Sequence, residues 1–381
     1  MSGPLGIGVV GAGTISSRVI PHLVQDDVRD VVRVTNVCDP VAGRAQATAD
    51  AFGIARASLT LDDLLDDPAV DLVTIASPIG LHFEQGLAAV KAGKHVHFNK
   101  TMTVTSAEAT ELIAAAAAAD VRIVASPGEV LRPHQRRIKE LIAEGAIGRL
   151  TWAACGAALG SYHEDEPERQ AGGGIDPSWY FRTPGGGPLY DMTVYALHGM
   201  TGILGSVRRV TAMSGVRIPE REFAGRAIKT EAHDNTLMLL DFGDNLFAVA
   251  YGTASGILTD GKSWDVDGRY YGTAGDIIGL HLNGEPFDYP GRALADSAPT
   301  DGHAGTGNEW LLPHITPPHR VLGEQHVYED VMQLVDWVRD GTPSPVTAEH
   351  ARHVIEIIEA AYRAADTGHT QELTTTVEGL A

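Results

Sequence analysis

Two groups of residues have types and spacings suited to chemistry. The first is Gly11–Ala12–Gly13–Thr14–Ile15–Ser16, which follows the apolar run Leu5–Val10 and opens a helical pattern over Ser16–Val24. A turn this tight needs glycine: Gly11 permits the bend, and Gly13 lets the backbone approach a pyrophosphate. The helix start at Thr14 and Ile15 offers free N–H groups and a partial positive charge. A second β-branched run, Val31–Cys38, ends in Cys38–Asp39–Pro40, where an acid can accept both hydroxyls of an adenosine ribose. Asp39 would repel a 2′-phosphate, which favours NAD over NADP; Arg44 keeps NADP as the lesser option.

The second group is Asp191, Tyr195 and His198. They fall at i, i+4 and i+7, which places all three on one stripe of a helix running from Asp191 to Leu204. An unperturbed tyrosine titrates near ~10, too high for a base at neutral pH. A neighbouring ammonium such as that of Lys100 would favour the phenolate. A tyrosine on an amphipathic helix also serves as a packing residue, and the spacing alone does not choose between the two roles.

The elements that must hold these residues follow two styles. Up to residue 126, strand patterns (Leu5–Val10, Val31–Cys38, Val70–Ile75, His95–Phe98, Val121–Ala125) alternate with helical ones (Val41–Phe52, His82–Ala92, Ser106–Ala119). Such alternation predicts a parallel sheet covered by helices on both faces. After Pro127 come a helix over His134–Glu144, a strand over Thr151–Ala158 and a Gly/Pro-rich loop through residue 188. Longer strands follow near Val207–Val216, Thr236–Phe242, Leu246–Thr253 and Val266–Tyr271, with a tight turn at Gly243–Asp244–Asn245. Consecutive strands so joined predict an open, mainly antiparallel sheet. Residues 284–322 read as an irregular excursion, and helices over Gln325–Arg339 and Thr347–Ala365 close the chain. The fold class is α/β: a Rossmann domain over 1–126, then an α+β domain over 127–381.

With 381 residues, the chain suits two domains of about 150 residues or more and needs no staple. Cys38 and Cys155 are its only thiols, which reads as a reducing compartment without disulfides. A formal charge of −20 argues against a nucleic-acid partner, which needs clustered Lys and Arg. The N-terminus shows no secretion pattern, and the apolar stretch 112–119 is too short to span a bilayer. The expectation is a soluble cytoplasmic protein with no membrane partner. No Gly-x-Ser-x-Gly elbow and no Gly-Lys-Ser/Thr phosphate loop appears. The sixteen histidines suggest no metal site: His314 and His319 flank Pro317–Pro318 without a ligand partner at the right spacing. His350 and His353 read as exposed on a surface helix.

From Val70 onward the sequence resembles the glucose–fructose oxidoreductase / inositol dehydrogenase / rhizopine-catabolism (Gfo/Idh/MocA) family. The likeness runs through Val70–Asp71–Leu72–Val73–Thr74–Ile75–Ala76–Ser77–Pro78, then His82, then Ala92–Gly93–Lys94–His95–Val96. It continues in Gly145–Ala146–Ile147–Gly148, in Gly185–Gly186–Gly187–Pro188–Leu189–Tyr190–Asp191, and in the last helix to Thr367–Gly368. The resemblance implies that Ser77, Pro78 and His82 line the dinucleotide site. It also implies a lysine touching nicotinamide and substrate within Asn99–Lys100–Thr101, where the family usually has Glu-Lys-Pro; Asn99 and Lys100 would then contact the cofactor.

The family's second motif corresponds to Asp191, Tyr195 and His198, and the tyrosine is similar to that of the glucose–fructose oxidoreductase and dihydrodiol dehydrogenase branches. Trp179–Tyr180–Phe181–Arg182 resembles a Trp-Arg segment that approaches nicotinamide or sugar. An aromatic face suits the C–H side of a pyranose and an arginine suits hydroxyls or an acid, although loop packing explains the aromatics equally well. His163, with Glu164 and Asp165, lies in a loop that could add a substrate contact.

A secondary alcohol cannot give up hydride easily unless its proton leaves too. The resemblance therefore implies an NAD(P)-dependent dehydrogenase or ketoreductase acting on a sugar, inositol or derivative. Tyr195 would exchange the proton, Lys100 would tune it and hold the hydroxyl, Asp191 would orient, and His198 would bind a neighbouring hydroxyl or share the proton. Two alternatives remain open. Tyr195–Ala196–Leu197–His198–Gly199 is similar to a segment of NAD-dependent redox-assisted glycosidases, and the unusual Asn99 and Thr101 leave room for a non-catalytic dinucleotide-binding regulator. Relatives use the open sheet to form dimers or tetramers, so a homodimer or homotetramer through that sheet is expected.

Overall fold

Every residue of β1 (Leu5–Val10) is buried, as a strand covered on both faces requires. In the structure, a computed structural model, it sits inside a six-stranded parallel sheet of order β3-β2-β1-β4-β5-β6. The other strands are β2 (Val32–Cys38), β3 (Arg56–Ser58), β4 (Leu72–Ile75), β5 (His95–Phe98) and β6 (Ile123–Ala125). The structure describes residues 3–158, 177–223, 225–255, 263–299 and 307–377. The strand order reverses between β1 and β4, and sheets of this kind bind ligands at the carboxyl ends of the strands flanking such a switch point.

The chain divides into two units, one comprising residues up to Met102, Ala107–Arg132 and Gly291–Ala348, the other Thr103–Ser106, Pro133–Pro290 and Glu349 onward. This differs from a division at residue 126. The helix Gln325–Asp340 returns to the first unit because its apolar face, with Val327, Val331, Leu334 and Val335, joins the core built by Ile7, Val9, Ile20 and Leu72. Nor are residues 284–322 wholly irregular: they contain the helix Arg292–Ala295 and short 3-10 turns at Gly307–Leu311 and Pro317–Val321.

The second unit is built on a nine-stranded sheet. Its strands are β7 (Leu150–Ala158), β8 (Arg209–Gly215), β11 (Asn235–Gly243), β12 (Leu246–Thr253), β13 (Ser263–Gly272), β14 (Asp276–Ile278), β15 (His281–Leu282), β16 (Glu285–Pro286) and β17 (Gln371–Glu372). A separate two-stranded ribbon pairs β9 (Glu220–Phe223) with β10 (Arg226–Lys229). The large sheet is mixed, since β12 and β7 run parallel, and otherwise antiparallel. The β11–β12 turn places Asp244 and Asn245 at φ 50° and 61°, the two positive angles of a hairpin turn whose twist matches its strands. Along β11, buried Thr236, Met238 and Leu240 alternate with exposed Asn235, Leu237 and Leu239, so one face is core. The helix Val194–Leu204, apolar and buried through Thr201, packs on this unit's β7 and β13. Among the described residues no helix is long and apolar enough to cross a membrane.

Candidate functional site

In the first unit the glycine turn is shaped as the spacing requires. Gly11 has φ +91°, and a Cβ there would lie 3.0 Å from Ala76 O. Its N–H donates to Cys38 O at 2.8 Å, and the Ser16 hydroxyl donates to Gly11 O. Serine at the third glycine position therefore braces the turn. Gly13 begins the helix Thr14–Leu23 without a side-chain cap, which leaves first-turn N–H groups for an anion.

Asp39, 4% exposed, closes the other side of the turn. Its carboxylate accepts the Ala12 N–H at 3.0 Å and the Val41 N–H at 2.9 Å. Arg44 Nη1 is 3.4 Å from each carboxylate oxygen. The arginine expected to leave room for a 2′-phosphate is thus partly engaged by the acid.

Asn99 and Lys100 follow directly from β5. The Asn99 N–H donates to Ile75 O at 2.9 Å, and its side-chain oxygen is buried with no hydrogen-bond partner among the described residues. Such an orphaned acceptor fits a hydroxyl or amide donor on a bound dinucleotide. The Lys100–Thr101 peptide is cis.

His82 is fully buried, with its ring nitrogens 2.7 Å from Thr101 O and 2.9 Å from Ser77 O. Burial lowers its pKa, more than the two carbonyls raise it. The neutral ring donates to one carbonyl at a time and ties the Ser77–Pro78 turn to Thr101, the residue after Lys100. That ring is occupied by the fold and holds the loop.

In the second unit Asp191, Tyr195 and His198 are 7%, 8% and 2% exposed. They do not lie on one continuous α-helix. Leu189–Thr193 is a π turn, and the α-helix begins at Val194. A π turn closes i→i+5 rings, so the phase between Asp191 and Tyr195 departs from α spacing.

His198 turns toward the helix Ala348–Thr367, its ring 4.4 Å from that of His350. Burial, with His350 and His353 beside it, lowers its pKa well below the ordinary histidine value. It is a neutral packing group, poorly suited to sharing a proton.

Trp179 is half-buried and Arg182 exposed, on a turn whose Tyr180 and Phe181 are buried. The turn is closed by N–H donation from Arg182 to Trp179 O, from Gly186 to Arg182 O and from Gly187 to Tyr180 O. His163, Glu164 and Asp165 lie outside the described residues.

The expectation of exposed histidines is overturned. His350 is 2% exposed and His353 is fully buried. His350 Nε2 is 2.7 Å from the Thr201 hydroxyl, while His353 accepts the Val207 N–H at 3.0 Å and bonds the Thr375 hydroxyl at 2.9 Å. These neighbours come from distant sequence and cover a helix face that looks polar in isolation. His319 is also buried, and His314 lies 2.9 Å from Glu329 and 3.1 Å from Asp336. Among the described residues no group of three or more His, Cys, Asp and Glu could hold a metal.

These buried rings predict acid sensitivity. Burial lowers the pKa of His350 from 6.5 to about 3 and that of His353 to about 4. Below pH 6.5 the unfolded chain takes up protons that the folded rings refuse. Stability contributed by each therefore falls with pH, by about 1.4 kcal/mol per unit at most, until the folded pKa is reached. Urea midpoints should drop between pH 6.5 and pH 5, and His350→Asn should flatten that slope. A midpoint equally steep in the variant would contradict the assignment.

Sequence reasoning missed one network beneath the dinucleotide strands. Asp330 is 1% exposed and accepts the Ser126 hydroxyl at 2.6 Å and the Gly128 N–H at 3.1 Å. His97 lies 3.0 Å from Ser126 Oγ and 2.8 Å from Thr74 Oγ1. Burial raises the Asp330 pKa to about 7. The available signal was a carboxylate on the apolar stripe of Val327, Val331 and Leu334.

A parallel sheet with this turn, acid and buried acceptor is the architecture of a dinucleotide-binding domain. Residues 5–126 match the oxidoreductase-family model with NAD-binding Rossmann fold, and residues 135–278 match the GFO/IDH/MocA C-terminal domain. The chain belongs to the GFO/IDH/MocA oxidoreductase family. It is 28% identical over 368 residues to scyllo-inositol 2-dehydrogenase (NADP(+)) IolW of Bacillus subtilis (strain 168), covering 93% of this chain and 92% of the relative. D-xylose dehydrogenase of Paenarthrobacter nicotinovorans is 30% identical over 188 residues, covering 49% of this chain and 47% of that one. The solved structure of GenD2 from gentamicin A biosynthesis in complex with NAD has TM-score 0.71 at 23% identity, covering 98% of both chains, and shows the same fold.

Proposed function

We propose that this protein transfers a hydride between a nicotinamide dinucleotide and a secondary alcohol or ketone of a sugar, inositol or related polyol. The observation that carries the reading is the Gly11 turn joined to an uncapped helix start and an Asp39 carboxylate held at its edge. Family membership and the carbohydrate dehydrogenases among the relatives support the substrate class. A bound nicotinamide supplies the hydride acceptor. Tyr195 takes the hydroxyl proton, Lys100 stabilises the developing alkoxide and the phenolate, and Asp191 orients the reacting group. The neutral His198 fixes the helix that carries Tyr195. Trp179 and Arg182 contact the sugar.

Incubation with NAD or NADP and a panel of scyllo-inositol, D-xylose and aryl glycosides tests this, with reduced nicotinamide and released aglycone recorded together. Accumulating reduced nicotinamide with a free polyol is the expected result. Aglycone release without it would make the net reaction a redox-assisted glycoside cleavage, the outcome that the Tyr195-x-x-His198-Gly199 pattern allows. Cofactor binding without turnover of any carbohydrate would favour a regulator.

NAD is the preferred dinucleotide in this reading, because the Asp39 carboxylate would face a 2′-phosphate. The relative that uses NADP marks the alternative. Asp39→Asn should weaken NAD binding by roughly 10- to 100-fold, as loss of charged hydrogen bonds does, and improve the NADP to NAD ratio. Titration by nicotinamide fluorescence checks it; an unchanged ratio would remove Asp39 from cofactor choice.

The outward face of the large sheet supports self-association. Met213, Leu237, Leu239, Phe247 and Trp152 are 82%, 58%, 56%, 47% and 43% exposed. Register places Leu237 beside Met213 and Tyr251, and Phe247 beside Trp152, whose ring stacks on Tyr271. A contiguous apolar surface of this kind marks an interaction site. Leu239→Glu should convert a dimer or tetramer to a smaller species by light scattering; an unchanged mass would exclude this face.

A further inference from the structure

The β9–β10 ribbon belongs to neither large sheet, and an isolated two-stranded hairpin is marginal by itself. A buried arginine helps to anchor it. Arg221, on β9, has a fully buried side chain, and its Nη2 lies 2.8 Å from both Asp234 Oδ2 and Ala254 O. Asp234 also accepts the N–H groups of Arg217 at 2.6 Å and Ile218 at 3.0 Å. The acid thereby fixes the bend leading into the ribbon as well as the guanidinium.

The other side of that guanidinium meets the Trp179–Arg182 turn. Its central carbon lies 4.8 Å from the centre of the Phe181 ring, and a desolvated cation over an aromatic face is attracted to it. Phe181, Tyr180, Phe223, Ile228 and Ala254 form one small core with Trp179 packed on its flank. The Phe181 carbonyl accepts the N–H groups of Glu231 and Ala232 at 2.7 and 3.0 Å. Tyr180 and Phe181 are thus locked, while the two residues flanking them, Trp179 and Arg182, stay accessible.

We propose that Arg221 is a positioning residue: through Phe181 and Asp234 it fixes the turn that presents Trp179 and Arg182, and so sets carbohydrate affinity without touching carbohydrate. The inference rests on the reading that those two residues contact the substrate. Arg221 is planar, permanently charged and shared between an acid, a carbonyl and a ring. Lysine can replace its charge but neither its fork nor its stacking. Loosening the turn costs substrate binding, because a contact that must be ordered at the moment of binding is paid for in affinity.

The test compares full-length wild type with Arg221→Lys, Arg221→Met and Phe181→Leu. Hydrogen–deuterium exchange of peptides covering 178–182, thermal midpoint, NAD affinity, and KM and kcat with scyllo-inositol are measured. In Arg221→Met, exchange should rise in this segment and KM should rise about tenfold with kcat and NAD affinity within about twofold. Arg221→Lys should fall between it and wild type, and Phe181→Leu should move the same readouts less. A lowered midpoint with unchanged KM would mark Arg221 as merely structural and overturn the proposal, as would unchanged exchange. Should Arg221→Met not fold, Phe181→Leu carries the same test with the same overturning outcomes. A wild type inert toward scyllo-inositol counts against that substrate assignment, and exchange unchanged in both Arg221 variants still overturns the positioning role.

Discussion

Tyr195→Phe is expected to lower carbohydrate turnover by about 100- to 10,000-fold, the usual worth of a positioned acid or base, while dinucleotide affinity stays within about twofold. The phenol sits one residue into the α-helix Val194–Leu204 and is 8% exposed, so removal of one oxygen leaves the packing of the ring in place. Lys100→Ala should cost about 100- to 1,000-fold in kcat, as loss of one stabiliser of developing charge does. If Tyr195 were only a packing residue, Phe would retain nearly full activity, and the proton would need another carrier. His198 is a poor candidate, since burial beside His350 and His353 keeps it neutral.

Gly186→Ala should affect carbohydrate turnover without affecting dinucleotide binding. A Cβ there would fall inside contact distance of the carbonyl oxygens of Arg182, Tyr180 and Trp179. All three are backbone atoms, so no flexible side chain can yield. Overpacking of this kind costs about 1–3 kcal/mol, or else the Trp179–Arg182 turn is displaced. The expected result is a lowered thermal midpoint and carbohydrate turnover reduced by roughly 100-fold or more, the scale of misplacing a substrate contact by about an ångström. NAD affinity should be retained, because the Gly11 turn belongs to the other compact unit. Normal turnover in a folded Gly186→Ala protein would remove the Trp179–Arg182 segment from substrate binding.

Local signals were readable where the chemistry is local. Gly11 needs φ +91° and Asp39 needs only the end of β2, and both are set within one strand–helix–strand unit, residues 5–39. The alternation of buried and exposed residues along β11 likewise survives into the sheet. Features that depend on distant partners were not readable. His350 and His353 look solvent-facing until Thr201, Val207 and Thr375 arrive from elsewhere. The return of Gln325–Asp340 to the first unit rests on packing against residues some three hundred positions earlier in the chain, about as non-local as this chain allows. The Asp330–Ser126–His97–Thr74 chain shares that origin. The π turn at Leu189–Thr193 was hidden for another reason: an i, i+4, i+7 pattern reads as α-helix whether or not one turn widens.

The reaction proposed for this protein moves a hydride to nicotinamide from a carbon of the carbohydrate. The measurement that meets it most directly uses scyllo-inositol deuterated at its ring carbons, incubated with NAD or NADP, followed by mass spectrometry of the dinucleotide. One deuteron is expected on the reduced nicotinamide in wild type, and little in Tyr195→Phe or Lys100→Ala. Substrate consumed with deuterium appearing only in water, and none on the nicotinamide, would contradict it.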